Sequence, residues 1–527
     1  MNYIKSKNIE SGKSNLLIIC SLFLIMISSF ILRMNYFSFE SPTSSDAFLF
    51  FFYSAQIATL ENLPINYAPA NPGWSWFLAV FFSIFDLEKV IEYMQIQKIL
   101  TVLISVITII PVYYFCKKFF DYKFSILGAI IFAFEPHLIQ SSLFGNTDPI
   151  YIFLLATSLA LFFNSNKKFV FISFAVVGIS TIVRSEGLFL FFALLTIFLI
   201  QNRKNKKELK NIVICILIFC IFVIPVSLWE QEVNGNDAIF SRVGEGLVEI
   251  SGGKSNEESS RIFTAMENFP KYFGWSLIPL FLLFLPIGTW LLLKNWNSKS
   301  LVFMIIGFFL ILPMLWAYSY PLRDIRYVSF LFPVLVVVSL FGIQYLDTFV
   351  NKKKIFISIL AISLVVSSIG YLEWKVIKPQ EENNQFEIAQ ILVKSAKGVN
   401  SYYPEEKLLI SAEIPSKWSD LEMIIKNDES KTAKQFSVDR KIVVFDVNEY
   451  NSLEKFIKNS GEQLTHLVVD DNEERPEFLK NIYHNGEKIN FLTKEFDSKE
   501  NNFVYNVKIF KIDHELFNSL NNYSLDK

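Results

Sequence analysis

The sequence holds little of what builds disulfide, metal or nucleotide sites. Its four cysteines, Cys20, Cys116, Cys215 and Cys220, lie in or beside long apolar runs without partner spacing, so they read as small hydrophobes. Its four histidines, His137, His466, His484 and His514, have no i, i+4 or CxxC company, so they define no metal site. No GxGxxG or Walker-type loop occurs; Gly12-Lys13-Ser14 lacks the upstream glycine and the preceding strand. Neither sign of charge dominates, with 49 Lys+Arg against 50 Asp+Glu and a net charge of −1, which excludes a nucleic-acid binder held by whole-chain charge. Only 19% of residues are charged, with 19 Gly and 18 Pro in 527, which excludes a disordered chain and a collagen-like fibre.

What the chain has instead is apolar surface. Hydrophobic residues make up 52%, and Phe alone contributes 55, an excess that lipid-facing helices tolerate and soluble domains rarely carry. A helix needs about 20 mostly apolar residues to cross a bilayer. By that criterion spans are predicted near 15–33, 96–115, 124–141, 149–163, 168–183, 187–201, 211–229, 272–293, 301–318, 326–346 and 354–372. Residues 72–85 are too few to cross and open with Pro72-Gly73, so they are expected at the interface.

Loop charge supports that choice. With 72–85 outside the bilayer, one set of loops holds Lys117/Lys118/Lys123, Lys167/Lys168, the cluster Arg203 to Lys210, Lys294/Lys299 and Lys352/Lys353/Lys354. The opposite short loops hold only Lys89, Arg184, Arg323 and Arg326. The positive-inside rule then gives eleven spans, a cytoplasmic N-terminus and an outer C-terminus. The expected fold is an α-helical polytopic membrane domain over 1–372, with outer loops 34–95 and 230–271. An extracytoplasmic α/β domain over 373–527 is expected to follow. In that tail, strand-like runs occur at Leu408–Ala412, Lys441–Val447, His466–Asp470 and Phe503–Ile512. Helix-like runs occur at Phe386–Ala396, Leu453–Asn459 and Pro476–Tyr483.

The informative polar residues gather at the outer ends of spans, where ionisable groups near lipid are usually functional or paired. Asp46 follows the first span and precedes Phe48–Thr59, an amphipathic stretch expected along the membrane surface. Asp148 lies in the turn Gly145-Asn146-Thr147-Asp148-Pro149, Arg184 and Glu186 in the next outer turn, and Arg323, Asp324 and Arg326 in a later one. Carboxylates and arginines at one face suit a transfer reaction: a carboxylate takes the proton of an acceptor while guanidinium groups bind and stabilise a leaving phosphate. The same residues also fit helix caps and snorkelling ion pairs, and spacing alone leaves both readings open. Asp46 and Asp148 together are too few oxygens to fill a divalent-cation shell, so a metal is left open as well. The outer loop 230–271, with Gly244, Gly246, Gly252 and Gly253, reads as a solvated connector or as a lid.

The order of features resembles the GT-C superfamily of membrane glycosyltransferases, which use polyprenyl-phosphate-linked sugars and include protein O-mannosyltransferases and aminoarabinose transferases. The matching pieces are Asp46 after the first span, Tyr67-Ala68-Pro69-Ala70-Asn71-Pro72-Gly73, Phe134-Glu135-Pro136-His137, Thr147-Asp148, Arg184-Ser185-Glu186-Gly187-Leu188 and Arg326-Tyr327. The resemblance implies a catalytic role for Asp46, carried over from the acidic residue after the family's first span. With the chemistry above it yields a set of site expectations. Asp46 is the general base and Asp148 a second acid for acceptor or metal positioning. Arg184, Glu186, Arg323, Arg326, Glu61 and Tyr67 are expected on the substrate. Expected partners are a polyprenyl-phosphate sugar, a protein, lipid or glycan acceptor, and membrane lipid, with no nucleic acid. Position 47 is Ala where members often carry a second acid, and the oligosaccharyltransferase WWDYG signature is absent. Of the rival classes, a transporter would carry ionisable or broken-helix elements near the midplane, where these spans hold almost none. A non-catalytic membrane scaffold presenting its tail to partners is the alternative.

Overall fold

The computed structural model describes residues 12–43, 45–64, 67–203, 206–241, 258–319, 325–376, 378–401, 406–429, 442–447, 450–472 and 475–525. The chain divides into two compact units. The first comprises Met1–Asn35, Glu61–Ile84 and Ile96–Val376, the second Tyr36–Leu60, Phe85–Gln95 and Ile377–Lys527.

The first unit is helical, and each predicted span coincides with one helix or with two in succession. Among the described residues, five helices are long and apolar enough to cross a membrane, or six if the bent pair Tyr122–Ala133 and Pro136–Ser142 counts as one. The rest are short. Asp148–Phe162 has 15 residues and Phe332–Asp347 has 16, about 24 Å at 1.5 Å per residue against a hydrocarbon core of about 30 Å. The 272–293 run is not one helix but the end of Glu258–Ser276, a turn, and Phe284–Lys294.

Close backbone approach ties several of these pieces together. A Cβ added to Gly288 would strike the Val338 carbonyl oxygen, and one added to Gly342 the Phe284 carbonyl oxygen, so Phe284–Lys294 and Phe332–Asp347 pack at a distance that only glycine permits. The 53° bend after Ala133 has an equally local cause. Glu135 caps the next helix by accepting from the Leu138 amide at 2.8 Å, with Pro136 at its first turn. The buried Arg33 donates to the Ala133 carbonyl at 3.0 Å and Ser368 donates to the Phe134 carbonyl, so the oxygens released by the break stay paired.

Residues 72–85 form the helix Gly73–Ile84, at about 18 Å too short to cross. Trp74, Leu78 and Phe82 are buried while Phe77 and Val80 are exposed, and a Cβ on Gly73 would lie 3.0 Å from Val183 Cγ2. The loop expected at 230–271 is shorter than its composition suggested. Lys206–Asn234 and Glu258–Ser276 extend into it as helices, because Glu258–Ser276 carries an amphipathic pattern that its charges obscure. The glycines Gly244, Gly246, Gly252 and Gly253, with Arg242, Glu245 and Glu257, lie outside the described residues.

The second unit carries a five-stranded mixed sheet of β1 Gly398–Asn400, β2 Val443–Phe445, β3 His466–Asp470, β4 Leu492–Asp497 and β5 Val507–Ile512, in the order β2-β1-β3-β5-β4. β1 runs parallel to β2 and β3, while β5 runs antiparallel to β3 and β4. Two expectations are corrected here. Leu408–Ala412 belongs to the helix Glu406–Ala412, in which Leu408 to Ser411 are all buried; a short run apolar on every side has no period to separate helix from strand. Phe48–Thr59, within the helix Ser45–Leu60, does not present one apolar face to a membrane surface. Phe48 and Phe51 to Gln56 are buried inside this unit, with Phe51 edge-on to Trp418 at 6.4 Å.

Candidate functional site

Three elements of the first unit bring charged residues together. Asp148 opens the helix Asp148–Phe162, followed by Pro149 in its first turn. The turn before it is fixed from two sides. Gly145 has φ 77°, and its carbonyl accepts from Gln97 Nε2 at 2.8 Å and Trp74 Nε1 at 3.1 Å. Thr147 sits at the cap position without a side-chain cap bond. Its hydroxyl and the Asp148 carboxylate both accept from Arg184.

Arg184 ends Lys167–Val183 in extended backbone, its amide donating to the Ser180 carbonyl at 2.8 Å. The reversal into Gly187–Asn202 takes three residues, Arg184 to Glu186. A Cβ on Gly187 would meet the Thr181 amide nitrogen at 2.7 Å, so glycine is what lets the second helix start there. The Ser185 amide donates to Asn71 Oδ1 at 2.9 Å, which ties this turn to the segment before Gly73. That segment is held in turn by Asn234, whose side chain pairs with both the amide and the carbonyl of Ala68 at 3.0 and 2.8 Å.

In this frame the guanidinium of Arg184 is shared. Nη1 donates to Asp148 Oδ1 at 2.6 Å and to Thr147 Oγ1 at 3.1 Å, and Nη2 donates to Glu186 Oε1 at 2.8 Å. The Arg184 and Glu186 side chains are each 16% exposed and that of Asp148 is 1% exposed. The Phe330 ring covers the guanidinium at 4.6 Å and packs edge-on to Tyr151 at 4.9 Å. Burial works against the charge on Arg184, but Glu186 and Asp148 outweigh it and push the pKa above its ordinary value. Arg184 is therefore permanently charged, and it holds two carboxylates in fixed positions.

Only some of the sequence candidates come together. Asp148, Arg184 and Glu186 form one network. Arg326 lies in the short helix Arg326–Ser329, half-buried, 5.9 Å from the Tyr327 ring centre and four residues before Phe330. Glu61, exposed and with φ 55°, and the half-buried Tyr67 lie on the segment leading to Asn71. Asp46 belongs to the second unit, where it is exposed in the first turn of Ser45–Leu60. Arg323 lies outside the described residues, as does Asp324. Thr147, Asn71, Gln97 and Phe330 were not singled out as site residues. Two of them stand in quoted motifs, but Gln97 and Phe330 carry no local signal. As to a metal, no three His, Cys, Asp or Glu side chains among the described residues converge on one point, and the Asp148 carboxylate is engaged by Arg184. The donor set does not fit a bound cation, and no step is routed through one.

Residues 68–229 match the family profile described as dolichyl-phosphate-mannose-protein mannosyltransferase. That stretch contains Asp148, Arg184 and Glu186 and leaves out Asp46. Several solved structures share the fold, ArnT and AglB among them. ArnT from Cupriavidus metallidurans, bound to undecaprenyl phosphate, superposes with a TM-score of 0.53 at 11% identity, over 96% of this chain and 99% of its own. The archaeal oligosaccharyltransferase AglB from Archaeoglobus fulgidus, in complex with an inhibitory peptide and a dolichol-phosphate, gives 0.51 at 12% identity, over 87% of this chain and 70% of its own. No curated protein sequence matches. The chain is a multi-pass membrane protein with the fold shared by ArnT and AglB, and its residues 68–229 match the profile of the dolichyl-phosphate-mannose-protein mannosyltransferase family.

Proposed function

We propose that the protein transfers a single sugar from a polyprenyl phosphate to a protein, lipid or glycan acceptor at the outer membrane face. The observation that carries this proposal is the closed Asp148–Arg184–Glu186 network, built within the family-matched segment from two interhelical turns, before Asp148–Phe162 and after Lys167–Val183. Loop charge supports the outward orientation, with the basic clusters on the opposite loops.

In the proposed reaction, the Asp46 carboxylate takes the proton from an acceptor hydroxyl or amide. The acceptor atom bonds to the anomeric carbon as the bond from that carbon to the phosphate oxygen breaks, and the polyprenyl phosphate leaves with one more negative charge. What supports Asp46 is its place in the order of motifs and its exposure in the first turn of Ser45–Leu60. Arg184 already carries two carboxylates, so it serves the donor by fixing them rather than as an uncommitted cation. Glu186, the more accessible carboxylate, then presents an oriented acceptor to a sugar hydroxyl while the buried Asp148 holds Arg184 from behind, and Arg326, with Arg323, takes the leaving phosphate. The test is incubation of the purified chain with a panel of polyprenyl-phosphate sugars and membrane acceptors. Transfer from one donor supports the proposal. No transfer from any donor by folded protein favours a membrane scaffold that presents its C-terminal domain to partners.

A further inference from the structure

A second polar site lies at the far end of the helix Phe332–Asp347. This helix begins beside Phe330, which covers Arg184, and runs about 24 Å away from it. At its other end a cleft of about 690 Å³ opens between it, the end of Phe284–Lys294 and the start of Ser298–Ser319. Leu292 and Phe341 line the part nearer the helix middles, while Asn295, Lys299, Gln344 and Thr348 line the part at the helix ends. Apolar side chains toward the bilayer and polar ones toward its surface match the two halves of a lipid.

Charge and aromatic placement narrow the ligand. The segments that border the cleft, 294–299 and 347–354, carry Lys294, Lys299, Lys352, Lys353 and Lys354 against a single acid, Asp347, which Lys353 approaches at 3.7 Å. Among the described residues Lys299 forms no ion pair. Trp290, Trp296 and Phe349 are exposed around the same helix ends, where aromatic rings sit at headgroup depth, and Lys294 lies 4.6 Å over the Trp290 ring. A basic pocket between membrane helices at headgroup level selects anionic phospholipid. The amide and hydroxyl groups of Asn295, Gln344 and Thr348 suit a headgroup that bears hydroxyls.

We propose that this cleft binds one anionic phospholipid of the phosphatidylglycerol class, its phosphodiester on the lining Lys299, its charge also drawn by Lys294 next to the cleft, and its chains along Leu292 and Phe341. The site is separate from the Arg184 network, and the proposal stands whether or not the transfer chemistry is assigned correctly.

The test is native mass spectrometry of the full chain in detergent, titrated with equimolar phosphatidylglycerol and phosphatidylcholine. The parent is expected to retain one phosphatidylglycerol in preference to phosphatidylcholine. Lys299→Gln and Lys294→Gln are each expected to lower that preference about fivefold. Lys210→Gln, in another basic loop, is expected to leave it unchanged. Equal retention of the two lipids by the parent overturns the proposal, as does an undiminished preference in the Lys299→Gln/Lys294→Gln chain. An equal loss with Lys210→Gln would reduce the effect to general surface charge and also overturn it. Displacement of phosphatidylglycerol by undecaprenyl phosphate, lost in Lys299→Gln, would overturn it in favour of the polyprenyl carrier.

Discussion

Arg184 Nη1 lies 2.6 Å from Asp148 Oδ1, across 36 positions of sequence, and the same guanidinium reaches Glu186 through Nη2. Removing the cation leaves two poorly hydrated carboxylates facing each other. Arg184→Met is expected to destabilise the protein by about 3–5 kcal/mol, and adding Asp148→Asn should restore part of the loss. Thermal unfolding in detergent measures both. Purely additive losses in the double variant would show that the pair is not coupled.

The ring over Arg184 has a measurable contribution of its own. Phe330→Leu keeps an apolar cover but removes the π face, so it should cost about 0.5–2 kcal/mol. The same loss in an Arg184→Met background would assign the effect to packing against Tyr151 instead.

Helix packing at Gly288 and Gly342 is equally specific. Alanine at either position drives a methyl into a facing carbonyl oxygen, which should cost about 1–3 kcal/mol or more and shift the unfolding midpoint down. Gly307→Ala, where an added Cβ has no neighbour within 4 Å, should be neutral or stabilising. Equal effects at all three positions would contradict the close approach.

The C-terminal domain should weaken in acid. Burial lowers the pKa of His466 below its ordinary 6.5, against partial opposition from Glu495. The unfolded chain thus takes up this proton at higher pH than the folded chain. The stability that depends on neutral His466 is fully present above about pH 6.5 and is lost as pH falls through the folded value. Amide exchange of β3 and β5 in the full chain, corrected for intrinsic rates, should be slower at pH 7.5 than at pH 5. His466→Gln should flatten the difference, and an unchanged difference would exclude His466 as its source.

Much of the helical fold was legible because long apolar runs are local signals. The helix break at Ala133 was not, since it depends on Arg33 and Ser368 arriving from distant helices to pair the released carbonyls. Ser45–Leu60 was misread for a related reason: its burial comes from Trp418 and other residues of the tail, far along the chain. At the site, Asp148, Arg184 and Glu186 were each legible as charges at span ends. Their shared hydrogen bonds were not, because nothing in two separate turns states how the turns meet. Gln97 and Phe330 lay inside apolar or helical patterns that gave them no distinction, and only packing shows what they hold.

The most direct measurement is sugar transfer from a polyprenyl-phosphate donor by the parent chain and by Asp46→Asn, both verified as folded. Transfer by the parent, with a loss of at least about a hundredfold in kcat in Asp46→Asn, is the expected result for removal of a general base. Equal transfer by the two proteins would contradict the assignment of Asp46 as the base.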